Sequence, residues 1–302
     1  MLKLPDRDLS PAALDFLLAR QAEIDGKGDF KARAAWADKS WDEKNAVGTG
    51  GKAAFEEIEA SLKSMCPTDN LCHYCELGEA KDIEHVAPKS YFPQHAFHWP
   101  NYLLVCKECN TGQKLDKMYV FAAGDSAEVV RLKRGSEPPT SDFAFVNPRV
   151  EDPMAAMQLN LLDFLYYPMP ATSPAPSRDQ EKATRTIEIL NLNGRRGLIR
   201  AHENAFTDYK NQLKVYVDVL DANNLDELQK ATSGYPTINP ADGEFVHQKS
   251  KVLEQLQKGF TKTSHPTILR EMIRQSARLE KNLQANIKKS GIETWLPRLA
   301  QA

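Results

Sequence analysis

Residues 72–114 read CHYCELGEAKDIEHVAPKSYFPQHAFHWPNYLLVCKECNTGQK, a stretch that gathers four cysteines, a Glu-His dipeptide, two asparagines and a terminal lysine. Cys72 and Cys75 form one Cys-x-x-Cys pair and Cys106 and Cys109 a second, with 30 residues between them. A Cys-x-x-Cys turn aims both sulfurs to one side, and soft sulfur donors select Zn²⁺, so two such turns can close one tetrahedron. The expected site is a structural zinc held by all four. Such a closure makes everything between the pairs a stapled loop. The loop carries Asp82-Ile83-Glu84-His85, then Trp99-Pro100-Asn101, then the apolar run Tyr102–Val105, and Asn110 and Lys114 follow the second pair. A neutral imidazole, with an unperturbed pKa of about 6.5, can take a proton from water at neutral pH, which makes His85 a candidate base.

These residues need elements to hold them. The chain has 302 residues, 41% hydrophobic and 26% charged, enough for two domains or one large one with a packed core. No apolar run reaches the roughly 18 residues of a bilayer span, and MLKLPDRDLS lacks the apolar centre of a secretory signal. The expectation is a cytoplasmic protein with no membrane partner, where reduced thiols serve as metal ligands and not as disulfides. Cys66, without a paired neighbour, reads as an unreactive thiol. A net charge of −2 neither favours nor opposes nucleic acid, because binding depends on local basic surface.

The pattern predicts a predominantly helical α+β fold in four parts. Residues 1–65 read as an N-terminal helical segment, with apolar residues at three-to-four spacing after Pro11 and from Lys52 to Met65, and with Trp36 and Trp41 packing this layer against its neighbour. Residues 66–118 form the cysteine-bracketed module. Residues 119–176 are mixed, with short alternating runs at Ala127–Leu132 and Phe143–Val146 before the proline-rich linker YYPMPATSPAPS. Residues 177–302 read as a C-terminal helical region, opened by the capping pair Ser177 and Gln180 and a helix to about Leu190 that stops at Asn193-Gly194.

The segment from about 70 to 118 resembles the HNH endonuclease family, whose site is built from two antiparallel strands and a helix around one divalent ion. The resemblance rests on the acidic-His pair, the asparagine in mid-motif and the Cys-Asn followed by lysine. It implies that Glu84 and Asn110 hold a catalytic Mg²⁺ or Mn²⁺, that His85 is the general base, that Asn101 braces the loop orienting His85, and that Lys114 lies near the phosphates. Glu84 stands where many members have Asp or His, and Asn110 where many end on His; both keep a hard or borderline donor suited to Mg²⁺. Hydrolysis of a phosphodiester needs a nucleophile, charge stabilisation on the non-bridging oxygens and help for the leaving oxygen, and a base beside an oxygen-ligated Mg²⁺ supplies these. Glu84 and His85 are neighbours in an extended segment, so a bend or bulge is expected if both are to face one site. A helix starting near Asn110 would aim free backbone N–H groups at an anion.

Taken singly, Glu84-His85 is an ordinary surface pair and Asn101 an ordinary turn residue; their order inside the two cysteine pairs is what favours a nuclease site. Asp82 reads as solvated or supporting. His73, His95 and His98 read as surface loop residues, with replacement of a metal ligand as the alternative, and Trp99 as a plug under the loop. More widely, Cys72–Glu76, Ile83–Ser90, the Trp-x-Asn and Thr186–Asn193 look like the PtuB-type HNH proteins of bacterial Septu and retron anti-phage systems. That likeness implies a PtuA-type ATPase partner and a nucleic-acid substrate, DNA favoured over RNA. The rival from another class is a non-catalytic zinc-stabilised adaptor binding the ATPase or nucleic acid. Near the C-terminus Arg270, Arg274, Arg278, Lys281 and Lys288 are expected on one face of an amphipathic helix, opposite Leu269, Met272, Ile273, Leu279, Leu283 and Ile287. A solvated face is the first expectation there, a phosphate-tracking or acidic-partner surface the alternative.

Overall fold

The computed structural model describes all residues except 47, 67–69, 125, 171–174, 235–243 and 297–302. Among the described residues it is mostly helical, with three small two-stranded sheets, which is the α+β class expected. The chain divides into two compact units: residues 1–158 with 166–195, and residues 159–165 with 196–302.

The first unit begins with three helices. The Ser10 hydroxyl caps α1 (Pro11–Asp25) by accepting from the Ala13 amide, and Pro11 opens the helix where its missing N–H costs nothing. Asp29 caps α2 (Phe30–Asp42) in the same way. Helix α3 (Gly48–Met65) buries Phe55, Ile58 and Leu62, packing on α1 and on the apolar run Tyr102–Val105. Trp41, at the end of α2, meets Phe55 edge-on at 5.4 Å and also lies 5.4 Å from the Tyr102 ring, so it packs the helical layer against its neighbour, as its position suggested.

Strands β1 (Asp82–His85) and β2 (Tyr102–Val105) pair antiparallel, Asp82 opposite Val105 and His85 opposite Tyr102. All four β2 side chains are buried, which explains the unbroken apolar run YLLV. The expected bulge at Glu84-His85 is not there. Pairing runs in register through both residues, and the pleat sends the two side chains to opposite faces.

A π-helical segment, Glu108–Lys114, follows β2, where a helix starting near Asn110 was expected. The Asn110 amide already donates to the Cys106 carbonyl at 3.1 Å, so it is not free for an anion. Beyond it, β3 (Tyr119–Phe121) pairs with β4 (Val129–Arg131), within the alternating run Ala127–Leu132. Phe143–Val146 makes only one bridge, Val120 to Phe143, and is otherwise irregular. The short helix α4 (Pro153–Ala156) leads into β5 (Met157–Leu159), which pairs with β6 (Tyr166–Pro168). The first residues of the proline-rich stretch are therefore strand, and part of the rest, residues 171–174, lies outside the described residues. Helix α5 (Arg178–Ile189) has the capping box read from Ser177 and Gln180, and Leu190 ends it.

The second unit is helical: α6 (Arg196–Asp221), α7 (Leu225–Thr232), α8 (Phe245–Lys262), α9 (Pro266–Arg274), α10 (Lys281–Ser290) and α11 (Ile292–Trp295). The C-terminal basic row does not form one helical face, because α9 stops at Arg274, a single 3₁₀ turn covers Ser276–Arg278, and α10 starts at Lys281. Arg270 is buried, and Arg274 is committed to an ion pair with the buried Glu271. No described helix is long and apolar enough to cross a membrane.

Candidate metal centre and adjoining cavity

Cys72, Cys75, Cys106 and Cys109 bring their sulfurs within 4.8 Å of one another, and none is in a disulfide. Cys75 Sγ and Cys106 Sγ are 3.8 Å apart. A Zn–S bond of about 2.3 Å gives a tetrahedron edge of about 3.8 Å, so four buried thiols at this spacing fit a zinc ion. The first turn is closed by the Glu76 amide on the Cys72 carbonyl at 2.9 Å. Arg195 donates from Nη1 to Cys109 Sγ at 3.3 Å, and its Nη2 lies 3.9 Å from Cys75 Sγ. A zinc with four thiolates carries net negative charge, and this guanidinium offsets part of it. Cys66 stays outside the cluster; burial pushes its thiol up to about 11, the unreactive state expected of it.

His73 departs from its expected loop role. It is buried, accepts the Leu104 amide on Nδ1 at 3.0 Å and contacts Cys66 Sγ at 3.2 Å through Nε2. It locks the first cysteine turn to β2. Trp99 is the plug expected: it is buried, donates Nε1–H to the Arg7 carbonyl at 2.9 Å, and carries the Arg149 guanidinium 4.4 Å from its ring centroid.

Cys109 and Lys114 are both buried, although they are five residues apart. In an α-helix such residues sit about 140° apart, on different faces. The π winding, with bonds from i to i+5 such as Leu115 N–H to the Asn110 carbonyl at 2.8 Å, stacks them on one side. One sulfur thus reaches the cysteine cluster while the lysine reaches β1. Lys114 Nζ lies 2.6 Å from Glu84 Oε1 and donates to the His85 carbonyl at 2.9 Å, with its side chain fully buried. Lys114 therefore stands beneath the strand, and not on an open surface where a phosphate could reach it. Burial raises the Glu84 carboxyl above the ordinary carboxylate range, and the Lys114 ammonium opposes that rise.

His85 is buried on the other face of β1. Its ring lies 4.2 Å from Trp41 and 5.3 Å from Tyr102 between centroids. His85 Nε2 is 2.9 Å from the Ala96 carbonyl. A carbonyl only accepts, so Nε2 carries the proton and Nδ1 is the basic nitrogen. Burial, then the charge of Lys89, pushes the imidazole down to about 3. It is a neutral acceptor throughout the physiological range.

Asn101 closes the loop between the strands. Its Oδ1 accepts the Ala87 amide at 2.7 Å, and its Nδ2 donates to the carbonyls of Ala87 and His95 at 3.0 and 2.8 Å. Fixing residue 95 fixes Ala96, whose carbonyl orients His85. Asn110 donates Nδ2–H to Asp82 at 3.1 Å, which turns its oxygen away from that carboxylate. Glu84, His85 and Asn110 line one cavity of about 450 Å³, together with Trp41, Lys89, Asp116 and Arg134. Lys89, Trp41, Arg149 and Arg195 received no site role from the sequence; Lys89 alone lay inside a quoted motif.

Among the described residues, the four cysteines are the only cluster of three or more His, Cys, Asp or Glu side chains able to share a metal. A second, oxygen-ligated ion would have Glu84 and Asn110 as protein donors, the sparse set that suits Mg²⁺, which keeps several waters.

No protein-family model and no solved structure matches the chain. Over 148 residues it is 28% identical to the Septu protein PtuB of Bacillus thuringiensis, covering 45% of this chain and 54% of that protein. The chain thus spans about half the length of the curated relative it matches, and the similarity supports a Septu-type relative.

Proposed function

We propose that the protein is a metal-dependent endonuclease of HNH type that hydrolyses phosphodiester bonds in nucleic acid, DNA favoured over RNA. The observation that carries the proposal is the held tautomer of His85: Nε2–H is engaged by the Ala96 carbonyl, which leaves Nδ1 unprotonated, and His85 is among the residues that line one cavity with Glu84 and Asn110. In this role His85 takes the proton of the attacking water, and Asn101 holds the loop that keeps the ring in register. Glu84 and Asn110 would hold Mg²⁺ or Mn²⁺, which supplies Lewis acidity to the phosphate and the leaving oxygen.

The cysteine cluster would hold a structural Zn²⁺, keeping β1, β2 and the π-helical segment in one piece. The likeness to a Septu protein supports a part in anti-phage defence, beside a PtuA-type ATPase and in the cytoplasm. The rival adaptor reading draws on the Glu84–Lys114 pair, which already satisfies the buried carboxylate without a metal. Incubation of plasmid DNA and of RNA with the purified chain in Mg²⁺, with and without the ATPase, separates the two. Cleavage that is lost in His85→Ala supports the nuclease; a zinc-loaded protein that binds the ATPase and cuts nothing in its presence leaves the adaptor.

A further inference from the structure

With Lys114 enclosed, the cations that meet the substrate must be others, and two cavities of the first unit name them. The His85 cavity has Lys89 on its wall. A second cavity of about 550 Å³ is lined by Lys44, Lys52, Lys81, Phe55 and Asp82. The two share Trp41, Ile83 and Asn110 in their walls and so adjoin at these residues.

Most cations here hold a carboxylate: Lys52 with Glu56, Lys81 with Glu79, Lys89 with Asp38 and Arg134 with Asp116. Lys44 does not. Its Nζ donates to the Trp41 carbonyl at 3.3 Å and lies 4.7 Å from the Trp41 ring, and among the described residues no carboxylate comes within 4 Å of it. It is about half buried, and burial lowers its pKa. Asp42 acts on this ammonium only from a distance, and Lys89 opposes its charge. A half-buried ammonium with no carboxylate in contact is a place for an anion from outside. The walls are of mixed charge, with Glu56 and Glu59 on one side and Asp38 and Asp116 on the other, so phosphate contact is confined to points beside Trp41.

We propose that the two cavities form one substrate groove in which a nucleic-acid strand straddles Trp41, with Lys44 receiving a backbone phosphate on one side and Lys89 a phosphate on the His85 side. This rests on the nuclease reading and adds the strand's path to it. The Trp41 ring is held by Phe55, His85, Phe97 and Tyr102 and so fixes the spacing of the two phosphate contacts.

The test measures binding of a labelled single-stranded DNA oligonucleotide, and of its RNA counterpart, to the full chain across a salt series with no divalent ion added. Lys44→Ala and Lys89→Ala are each expected to weaken binding about five- to tenfold and to take about 0.7 from the slope of log affinity against log salt. Lys258→Ala, an exposed lysine of α8, is the charge control and should change neither. Melting temperature and zinc content of each variant show that it has folded. Loss in Lys44→Ala with either sugar supports the groove. Wild-type affinity and slope in a folded Lys44→Ala protein that still cleaves would overturn the groove and leave the nuclease standing. A wild-type chain that neither binds nor cuts DNA or RNA, with or without the ATPase, removes both.

Discussion

Lys114→Met is the most informative single change at the buried pair. The side chains of Lys114 and Glu84 are 0% and 7% exposed, with Nζ and Oε1 2.6 Å apart. Methionine fills the space of the lysine stem but strands two acceptors, Glu84 Oε1 and the His85 carbonyl. Removing one partner of a buried pair costs about 3–5 kcal/mol. For a first unit of roughly 190 residues, each kcal/mol is worth about 2–4 °C, so the melting temperature should fall by about 6–20 °C. The stranded carboxyl has its folded pKa raised further above its unfolded value. Its contribution to stability is therefore intact below the unfolded pKa and is lost as pH rises through the folded one. The deficit should be larger at pH 8 than at pH 5. The double variant Glu84→Gln, Lys114→Met should recover most of the loss, and saturating Mg²⁺ should raise the melting temperature of the single variant more than that of wild type. Calorimetry at both pH values reads all of this. A single variant within about 2 °C of wild type at pH 8 would refute the claim that Lys114 offsets the burial of the Glu84 carboxyl.

Three more outcomes are expected. Purified protein should contain about one zinc per chain by elemental analysis, and Cys72→Ser or Cys109→Ser should lose metal and fold together. His85→Ala should abolish cleavage and also cost about 1–3 kcal/mol of stability, because the ring packs on Trp41 and Tyr102, and denaturant unfolding measures the cost. Since burial holds the folded His85 pKa at about 3, against an ordinary imidazole value of 6.5, its contribution to stability is present above pH 6.5 and is lost as pH falls toward 3; His85→Ala should remove that part of the acid limb.

The parts of the fold that local rules govern were legible in the sequence. Ser177 and Gln180 announced their capping box, Trp41 its packing role, and the two Cys-x-x-Cys pairs their convergence. What the sequence hid depends on long-range placement. Lys114 looks like a surface cation until the π winding turns it under β1, and Arg270 looks like one of a solvated row until α9 is broken from α10 and buried. His73 sits in a cysteine turn that resembles an exposed knuckle, and only its bond to Leu104 shows it to be an internal fastener. Arg195 lies 86 residues from Cys109, a separation at which no spacing rule operates. Glu84-His85 was legible as a pair, but its unbulged register could not be seen before β2 was in place.

The π-helical segment makes length as consequential as identity. Cys109 and Lys114 share a side only because one turn there holds an extra residue. Deleting Thr111, whose hydroxyl merely bonds back to the Lys107 carbonyl, would let the turn relax to ordinary winding. The sulfur and the ammonium would then fall out of phase, although neither had been altered. A substitution scan across these seven positions would record tolerant sites at Thr111 and its exposed neighbour Gly112, where a scan by single deletions would find none. Change through this stretch is therefore open to replacement and closed to shortening, so homologous chains should be sought with its residue count held fixed.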